Sequence, residues 1–351
     1  VRRAAFFSFS RCDPLFYTPA MRPLTARVLQ LLADAEFHSG EALADALEMS
    51  RGSIWHAIRE LEALGLDIYK VPGRGYRLSR PLALLDAARV EHHLGTLAPR
   101  FRLELCPSVA STSTRLLERA AQGAETATVV AAEWQSGGRG RLGRAWHAPL
   151  GGGLTFSLLW RFARGAGALT GLSLATGVAV ARGVETLGAS GIELKWPNDV
   201  LWDGRKLAGI LIELQGDALG PTAAVIGIGV NVRLSTADHG RIGQPATDLE
   251  AACGAAPDRN VALARLLAEL HRTLDAFAES GFAPLRAEWQ RRHAHQDRRV
   301  TLLLPDGAGV SGQARGVGED GALLLETRTG IRRYHSGEVS LRPAKPVMSD
   351  E

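Results

Sequence analysis

Cysteine is scarce in this chain of 351 residues: Cys12, Cys106 and Cys253 stand far apart, with no CxxC pair. That spacing argues against a disulfide framework or a cysteine-based zinc site. It fits a reducing compartment, and a cytoplasmic protein is expected. Long apolar runs are missing too. No uncharged apolar stretch reaches about 18 residues, so neither a membrane span nor a membrane partner is expected. Charge of one sign is also not in large excess. The 41 Lys and Arg against 37 Asp and Glu leave a formal net charge of +4, too little to name a partner. The length allows two or three domains with cores of their own, and no internal repeat is evident. Residues 1–20 carry Arg2, Arg3 and scattered phenylalanines but no continuous apolar core of signal-peptide type. A regular helical pattern begins just after Met21. Residues 1–20 are therefore expected to be a disordered extension, with Met21 as the true start.

What is present is concentrated in the stretch Gly138-Arg139-Gly140-Arg141-Leu142-Gly143-Arg144-Ala145-Trp146, which follows a strand-like run at 127–132. Glycine lets the backbone approach a ligand and aim amides at an anion. Arginine adds planar, permanently charged forks suited to phosphate and carboxylate oxygens. An isolated run of this kind would read as a solvated basic loop or a nucleic-acid tail. Here it is short, and Trp146 and Pro149 bound it within an ordered pattern.

From residue 24 onward, Leu24, Val28, Leu31 and Leu32 recur at helical spacing. A short helix follows Ser39-Gly40. A third is capped by Ser50, closed by Gly65, and carries the apolar stripe Ile54, Ile58, Leu61. Three helices with a tight turn before the third form a helix-turn-helix pattern. The hairpin at 67–78 turns at Pro72-Gly73-Arg74-Gly75, and Lys70, Arg74, Arg77 and Arg80 make it basic. A basic wing of this kind would lie along phosphates. Ser50, Arg51, Ser53, His56 and Arg59 on the third helix, with Arg74 and Arg77 on the wing, are the expected DNA contacts. The bland reading is a three-helix packing module with an exposed ribbon. The base-reading groups on the outer face favour double-stranded DNA.

A linker-like passage spans 81–97. Then Ser111-Thr112-Ser113-Thr114 precedes Leu116 and Leu117, placing four hydroxyls at a helix N-terminus, where unpaired amides favour anions. Capping alone would need one. Leu154, Phe156, Leu158 and Trp160 alternate as a half-buried strand, and a long helix is expected over 169–187. The corner Lys195-Trp196-Pro197-Asn198-Asp199 sets an amide and a carboxylate at a strand end. Asp203-Gly204 turns the chain back through Arg205-Lys206-Leu207-Ala208-Gly209-Ile210-Leu211. A strand over 223–232 holds Gly227-Ile228-Gly229-Val230-Asn231, whose glycines would allow a close approach. A polar loop over 233–247 and helices near 261–277 and 283–292 follow. Short strands from 299 to 342 turn at 305–307, 319–321 and 329–330, which suggests a small β-barrel.

Taken in this order, the Gly/Arg loop, the Lys-Trp-Pro-Asn-Asp corner, the Arg205–Leu211 run and the Gly-Ile-Gly-Val-Asn strand make the chain resemble a biotin–protein ligase. The closer likeness is to the bifunctional bacterial form that also represses the biotin operon. Phe37-His38-Ser39-Gly40-Glu41 and Gly321-Ala322-Leu323-Leu324-Leu325 extend the resemblance over about residues 21 to 345. The four motifs together are highly specific, whereas each alone is weak. The resemblance implies an α+β protein with an N-terminal winged helix-turn-helix at 21–82. A class II synthetase-like α/β catalytic domain with a mixed sheet would follow at 83–296. An SH3-like barrel would occupy 297–345, and 346–351 a tail.

It further implies biotin contacts at Ser111, Thr112, Ser113, Gln135, Arg139, Gly140, Arg141 and Lys206. Nucleotide contacts are implied at Arg139, Arg141, Arg144, Trp146, Asn198, Lys206 and Asn231, with Arg139, Arg141, Lys206 and Asp199 as the catalytic set. ATP would arrive with Mg²⁺ near Asn198 and Asp199, and no metal would be fixed in the protein. Expected partners are a biotin carboxyl carrier protein, operator DNA, and a second copy on adenylate binding. Strand edges near 225–232 or 192–195 are the expected pairing surfaces. Three departures stand out: Ser113 where the family usually has Asn, Ala148 where it usually has Ser, and no aromatic residue in 233–247. The rival readings are a lipoate–protein ligase and a biotin-sensing regulator without ligase activity.

Overall fold

In the computed structural model, the structure describes residues 21–216, 220–304, 308–335 and, for the backbone, 340–343. The expectations for 1–20, the turn at 305–307 and the tail at 346–351 lie outside the described residues. Helices α1 (Pro23–Leu32), α2 (Gly40–Leu47) and α3 (Arg51–Ala63) form a three-helix unit, and β1 (Ile68–Val71) pairs with β2 (Gly75–Leu78) in an antiparallel hairpin. Ser39 and Ser50 cap α2 and α3 by accepting from Ala42 N and Ser53 N. Val28, Leu32, Leu43, Ile54, Ile58 and Leu61 make the core. Gly75 has φ +104°, and a Cβ there would sit 2.0 Å from the His38 carbonyl, so only glycine lets the wing bridge to His38.

The passage at 81–97 is not plain linker: Asp86 caps a helix, α4 (Ala87–Leu94), by accepting from Arg89 N. Behind it runs a mixed seven-stranded sheet. Its strands are β3 (Arg102–Cys106), β4 (Thr128–Ala132), β5 (Gly153–Phe162), β6 (Ile192–Lys195), β7 (Asp199–Trp202), β8 (Arg205–Gly216) and β9 (Thr222–Asn231), ordered β3-β4-β5-β9-β8-β7-β6. Only β3 and β4 pair in parallel. The helix α5 (Thr112–Ala121) covers one face. The other is covered by α6 (Leu172–Glu185) and α9 (Arg259–Ser280), so every residue of β9 is buried.

One pairing expectation is corrected here, and the other is narrowed, because β6 does form an edge of the sheet. The 225–232 strand lies between β5 and β8, its hydrogen bonds used on both sides. The 192–195 edge is partly covered: Leu194 N donates to Arg292 O at 2.7 Å and Leu194 O accepts from Ala294 N at 2.9 Å. The 233–247 segment is likewise more than a loop. It holds α7 (Thr236–Ile242), with a Ser235/Asp238 capping box, and is followed by α8 (Leu249–Cys253).

A buried pair ties the passage after the first unit to the sheet. Arg259 Nη2 donates to Glu133 Oε2 at 2.6 Å and to Ala83 O at 2.8 Å, while Leu85 N donates to Glu133 Oε1. After α10 (Arg286–Arg291), the strands β10 (Arg299–Leu303), β11 (Gly309–Val317), β12 (Leu323–Thr327), β13 (Gly330–Tyr334) and β14 (Ser340–Pro343) form an antiparallel sheet ordered β13-β12-β11-β10-β14. Trp196 Nε1 donates to Gly321 O at 3.1 Å, joining that sheet to the Pro-Asn-Asp corner.

At this junction His293 and His295 are 6% and 8% exposed, and His293 Nε2 and His295 Nδ1 have no hydrogen-bond partner. Burial pushes both rings down to about 4 from 6.5, with Lys195 and Arg298 adding to the effect on His295. The folded state therefore holds them neutral. Stability is insensitive to these groups above pH 6.5 and falls as pH drops toward 4, because the unfolded chain binds protons the native one refuses. The expected loss at pH 5 relative to pH 7.5, from urea unfolding, is about 2 kcal/mol for each ring and about 4 kcal/mol for the pair. An unchanged midpoint would refute the buried neutral pair.

Candidate active site

Strand β5 shows how the sequence builds the cleft. Its even positions, Leu154, Phe156, Leu158 and Trp160, fill the core, so Thr155 and Ser157 face the other way. Ser157 Oγ lies 2.8 Å from Thr112 Oγ1 and 3.0 Å from Ser113 Oγ, a buried hydroxyl cluster at the start of α5. Gln135 Oε1 accepts from Thr112 N at 2.7 Å, and Ser111 caps the helix. Ser111, Thr112 and Ser113 are each at most 5% exposed. Neutral donors and acceptors thus converge at one end of the cleft.

The Gly/Arg stretch is a folded flap. Gly140 N donates to Arg144 O at 2.7 Å, Trp146 N donates to Gly138 O at 2.8 Å, and Arg139 bridges Ala145. The flap's Trp146 indole lies against the glycine pair Gly209–Gly229, which sit opposite one another on β8 and β9. A Cβ at Gly229 would come within 2.2 Å of that ring, and one at Gly209 within 2.9 Å. The strand glycines therefore admit a side chain of the flap and, at Gly227, the Ser113 hydroxyl.

The charged end is built by β7, β8 and the flap. Lys206 Nζ is 2.7 Å from Asp199 Oδ1 and 5.6 Å from the Trp146 ring centroid. Arg141 Nη1 donates to Asn198 Oδ1 at 3.3 Å, and Asn198 Nδ2 donates to Ile210 O at 2.7 Å. Burial lowers the Arg141 guanidinium below its ordinary value, Arg144 adds to this, and Asp199 opposes it. Such a buried cation gains from an arriving anion. Arg139 is paired with Glu213 at 2.9 Å.

One cleft of about 660 Å³ collects these groups. Of the expected residues it is lined by Ser111, Thr112, Ser113, Gln135, Arg139, Gly140, Arg141, Arg144, Trp146, Asn198, Asp199 and Lys206. Lys195 adds a fifth cation, and Asp199 is the one carboxylate among the described lining residues. Asn231 lies outside this lining. It is buried, and its amide donates to the Lys206 and Thr247 carbonyls, fixing the strand that carries Lys206.

Sequence reasoning missed Ser157, Glu213 and the cover from α7, whose end places Ile242, Gly243 and Gln244 on the cleft. The polar alternate positions of β5 were the available signal for Ser157. Nothing in the local pattern announced the pairing of Glu213 with Arg139, 74 residues away. His147, next after Trp146, meets Asp238 of α7 at 2.9 Å. Although burial opposes it, the hydrogen bonds from His147 and Ser235 keep the Asp238 carboxyl below its ordinary range.

The expected DNA contacts occupy a different surface. Arg51, His56, Arg59 and Arg74 are exposed on α3 and the wing. Ser50 and Ser53 are hydrogen-bonded to each other at 2.9 Å. Arg77 is stacked between Phe37 and Tyr69, its carbon Cζ 4.9 and 5.2 Å from their centroids.

Comparison with known proteins adds three family matches. Residues 105–231 match the biotin/lipoate A/B protein ligase family, 25–77 an HTH domain, and 295–342 the biotin protein ligase C-terminal domain. The bifunctional ligase/repressor BirA of Salmonella typhimurium is 39% identical over 323 residues, covering 92% of this chain and 98% of the relative. That of Bacillus subtilis is 31% identical over 317 residues, covering 90% and 97%. Among solved structures, the biotin protein ligase of Aquifex aeolicus in complex with biotin and ATP is 31% identical. It aligns with a TM-score of 0.60 over 69% of this chain and 99% of its own.

Proposed function

The chain belongs to the biotin–protein ligases of the bifunctional ligase/repressor kind, and from that premise we propose how its cleft and its winged helix divide the two activities. It is an α+β enzyme that joins biotin to protein and represses biotin genes. The observation that carries the ligase reading is the polarity of the cleft. Neutral hydroxyls and an amide crowd one end, apolar strand residues line the middle, and five cations face one carboxylate at the other. Biotin has the same order: a neutral ureido ring, an alkyl chain, and an acid. Lipoate has no ureido group to use the Ser111–Ser113 cluster, so a thermal-shift comparison should favour biotin.

In the first step the biotin carboxylate attacks the α-phosphorus of ATP and pyrophosphate leaves. The nucleophile is already an anion, so no general base is needed. What is needed is relief of repulsion between two anions and stabilisation of charge on phosphorus. Arg139, Arg141 and Lys206 supply it, with Arg144 further out. Arg139 would exchange Glu213 for the ligand. The donor set suits Mg²⁺ that arrives with ATP, because that ion keeps phosphate oxygens and waters and takes one or two carboxylates. Asp199 would be the carboxylate, Asn198 Oδ1 a neighbouring oxygen, and the ion would neutralise phosphate charge. Trp146, packed on the glycine pair, gives the adenylate a flat wall, and Ile242–Gln244 cover it from α7 where the relatives' aromatic residue is missing.

In the second step the neutral amine of a lysine on a biotin carboxyl carrier protein attacks the mixed anhydride, and AMP leaves. Asp199, freed from Lys206, would take the amine proton. Adenylate binding also promotes pairing with a second copy, and the dimer holds operator DNA through the two winged helices. The test is incubation with biotin, ATP, Mg²⁺ and a carrier domain, then a blot for protein-bound biotin. Label on the carrier is the expected result. Biotin binding without transfer would instead support a sensing regulator and overturn the ligase reading.

A further inference from the structure

We propose that Trp55 reads thymine methyl groups in the major groove and so sets part of the operator sequence this chain prefers. The proposal deepens the repressor reading above and rests on it. Among the large apolar side chains of the described residues, seven are exposed, and four of them, Met49, Trp55, Tyr69 and Val71, belong to the winged helix. Trp55 is 47% exposed, although α3 has a complete apolar stripe of its own in Ile54, Ala57, Ile58 and Leu61. The indole is therefore not needed to close the core.

Its place on the helix gives it a partner. Arg51, Trp55 and Arg59 follow one another at four-residue spacing, so they form a single outward row with a cation on either side of the ring. Arg59 lies over the ring at 5.8 Å, and the His56 imidazole meets it edge-on at 4.9 Å. These contacts restrict the indole while leaving it half exposed. Gly52, three residues before Trp55, would meet nothing closer than the Ser50 hydroxyl at 3.7 Å if it carried a Cβ. A glycine inside a helix weakens it by about 1 kcal/mol relative to alanine. Packing does not demand Gly52, so the gap it leaves beside Trp55 is open to an incoming surface.

A second protein would find this single apolar side chain flanked by Arg51 and Arg59, an arrangement that suits phosphate better than an apolar interface. In a major groove the same row finds cation sites on both backbones and an apolar spot between them. Thymine alone offers that spot, as its C5 methyl. Trp55 has one donor, the indole N–H, and no acceptor, so it selects by shape and apolar contact. His56, beside Trp55 on the exposed face, then reads a hydrogen-bonding edge on a neighbouring base pair.

The experiment uses the full chain with biotin, ATP and Mg²⁺ present. Duplexes are selected from a randomised library, and the best is remade with single thymines replaced by uracil, which removes only the methyl. At one or two positions per half-site, uracil should weaken wild-type binding by roughly 3- to 10-fold. Trp55→Ala should bind the thymine duplex more weakly by a similar factor and show no further loss with uracil at those positions. Its biotin transfer to a carrier domain should be unchanged, which confirms that the variant folds. Additive losses, equal weakening on every duplex, or a change in self-association instead would overturn the role of Trp55. A library that yields no enriched duplex would overturn the DNA reading itself, and this inference with it.

Discussion

Replacing Lys206 by alanine should lower the rate of biotinyl-adenylate formation by about 10²- to 10³-fold, the usual consequence of removing one preorganised charge from a transition state. The side chain is 16% exposed and held 2.7 Å from Asp199. Its loss does two things at once. A cation is taken from the phosphate, and the Asp199 carboxylate is left unpaired in a cleft meant for anions. The backbone should be undisturbed, since Asn231 grips the Lys206 carbonyl and not its side chain. Pyrophosphate release measured without acceptor reads the step directly. A normal rate from Lys206→Ala would refute its assignment.

Arg141→Ala should fail in a different way. The guanidinium reaches from the flap to Asn198 at 3.3 Å, linking the Gly/Arg stretch to the corner after β6. Without it the flap loses its charged contact with the corner and its share of the phosphate. The adenylate should then escape about 10²-fold faster, in the range expected for losing a charge-assisted hydrogen bond together with the shielding it maintains. Pyrophosphate would still form, more slowly than in the wild type but faster than in Lys206→Ala, while transfer to the carrier falls further because free adenylate is lost to water. Chromatography of the released nucleotide separates the two variants: little product from Lys206→Ala, free adenylate from Arg141→Ala. An unchanged escape rate would remove the shielding role.

The contrast between what the residues announced and what they concealed has a physical source. Motifs whose spacing is local were legible: the Ser50 cap, the Asp203-Gly204 turn, the alternation of β5, and the glycines of β9. Each depends on backbone geometry within a few residues. The same holds for the cluster of cations, because like charges placed together need a common counter-charge. Contacts between distant segments were not legible. The Glu133–Arg259 pair, the Glu213 partner of Arg139 and the Ser157 bridge join residues tens to more than a hundred positions apart. Pairing order was equally hidden. The 225–232 strand is buried throughout because it is central, whereas the resemblance had led to the expectation of a free edge there. In 233–247, polar composition masked a capped helix, since Ser235 and Asp238 satisfy each other locally.

The most direct test of the central claim is a crystal structure of the chain with biotinyl-5′-adenylate. It should show the acyl and phosphate oxygens within hydrogen-bonding distance of Arg141 and Lys206, the ureido ring among Ser111, Thr112, Ser113 and Gln135, and Arg139 turned away from Glu213. An adenylate bound elsewhere, or one whose phosphate leaves the Lys206–Asp199 and Arg139–Glu213 pairs intact and untouched, would contradict the account.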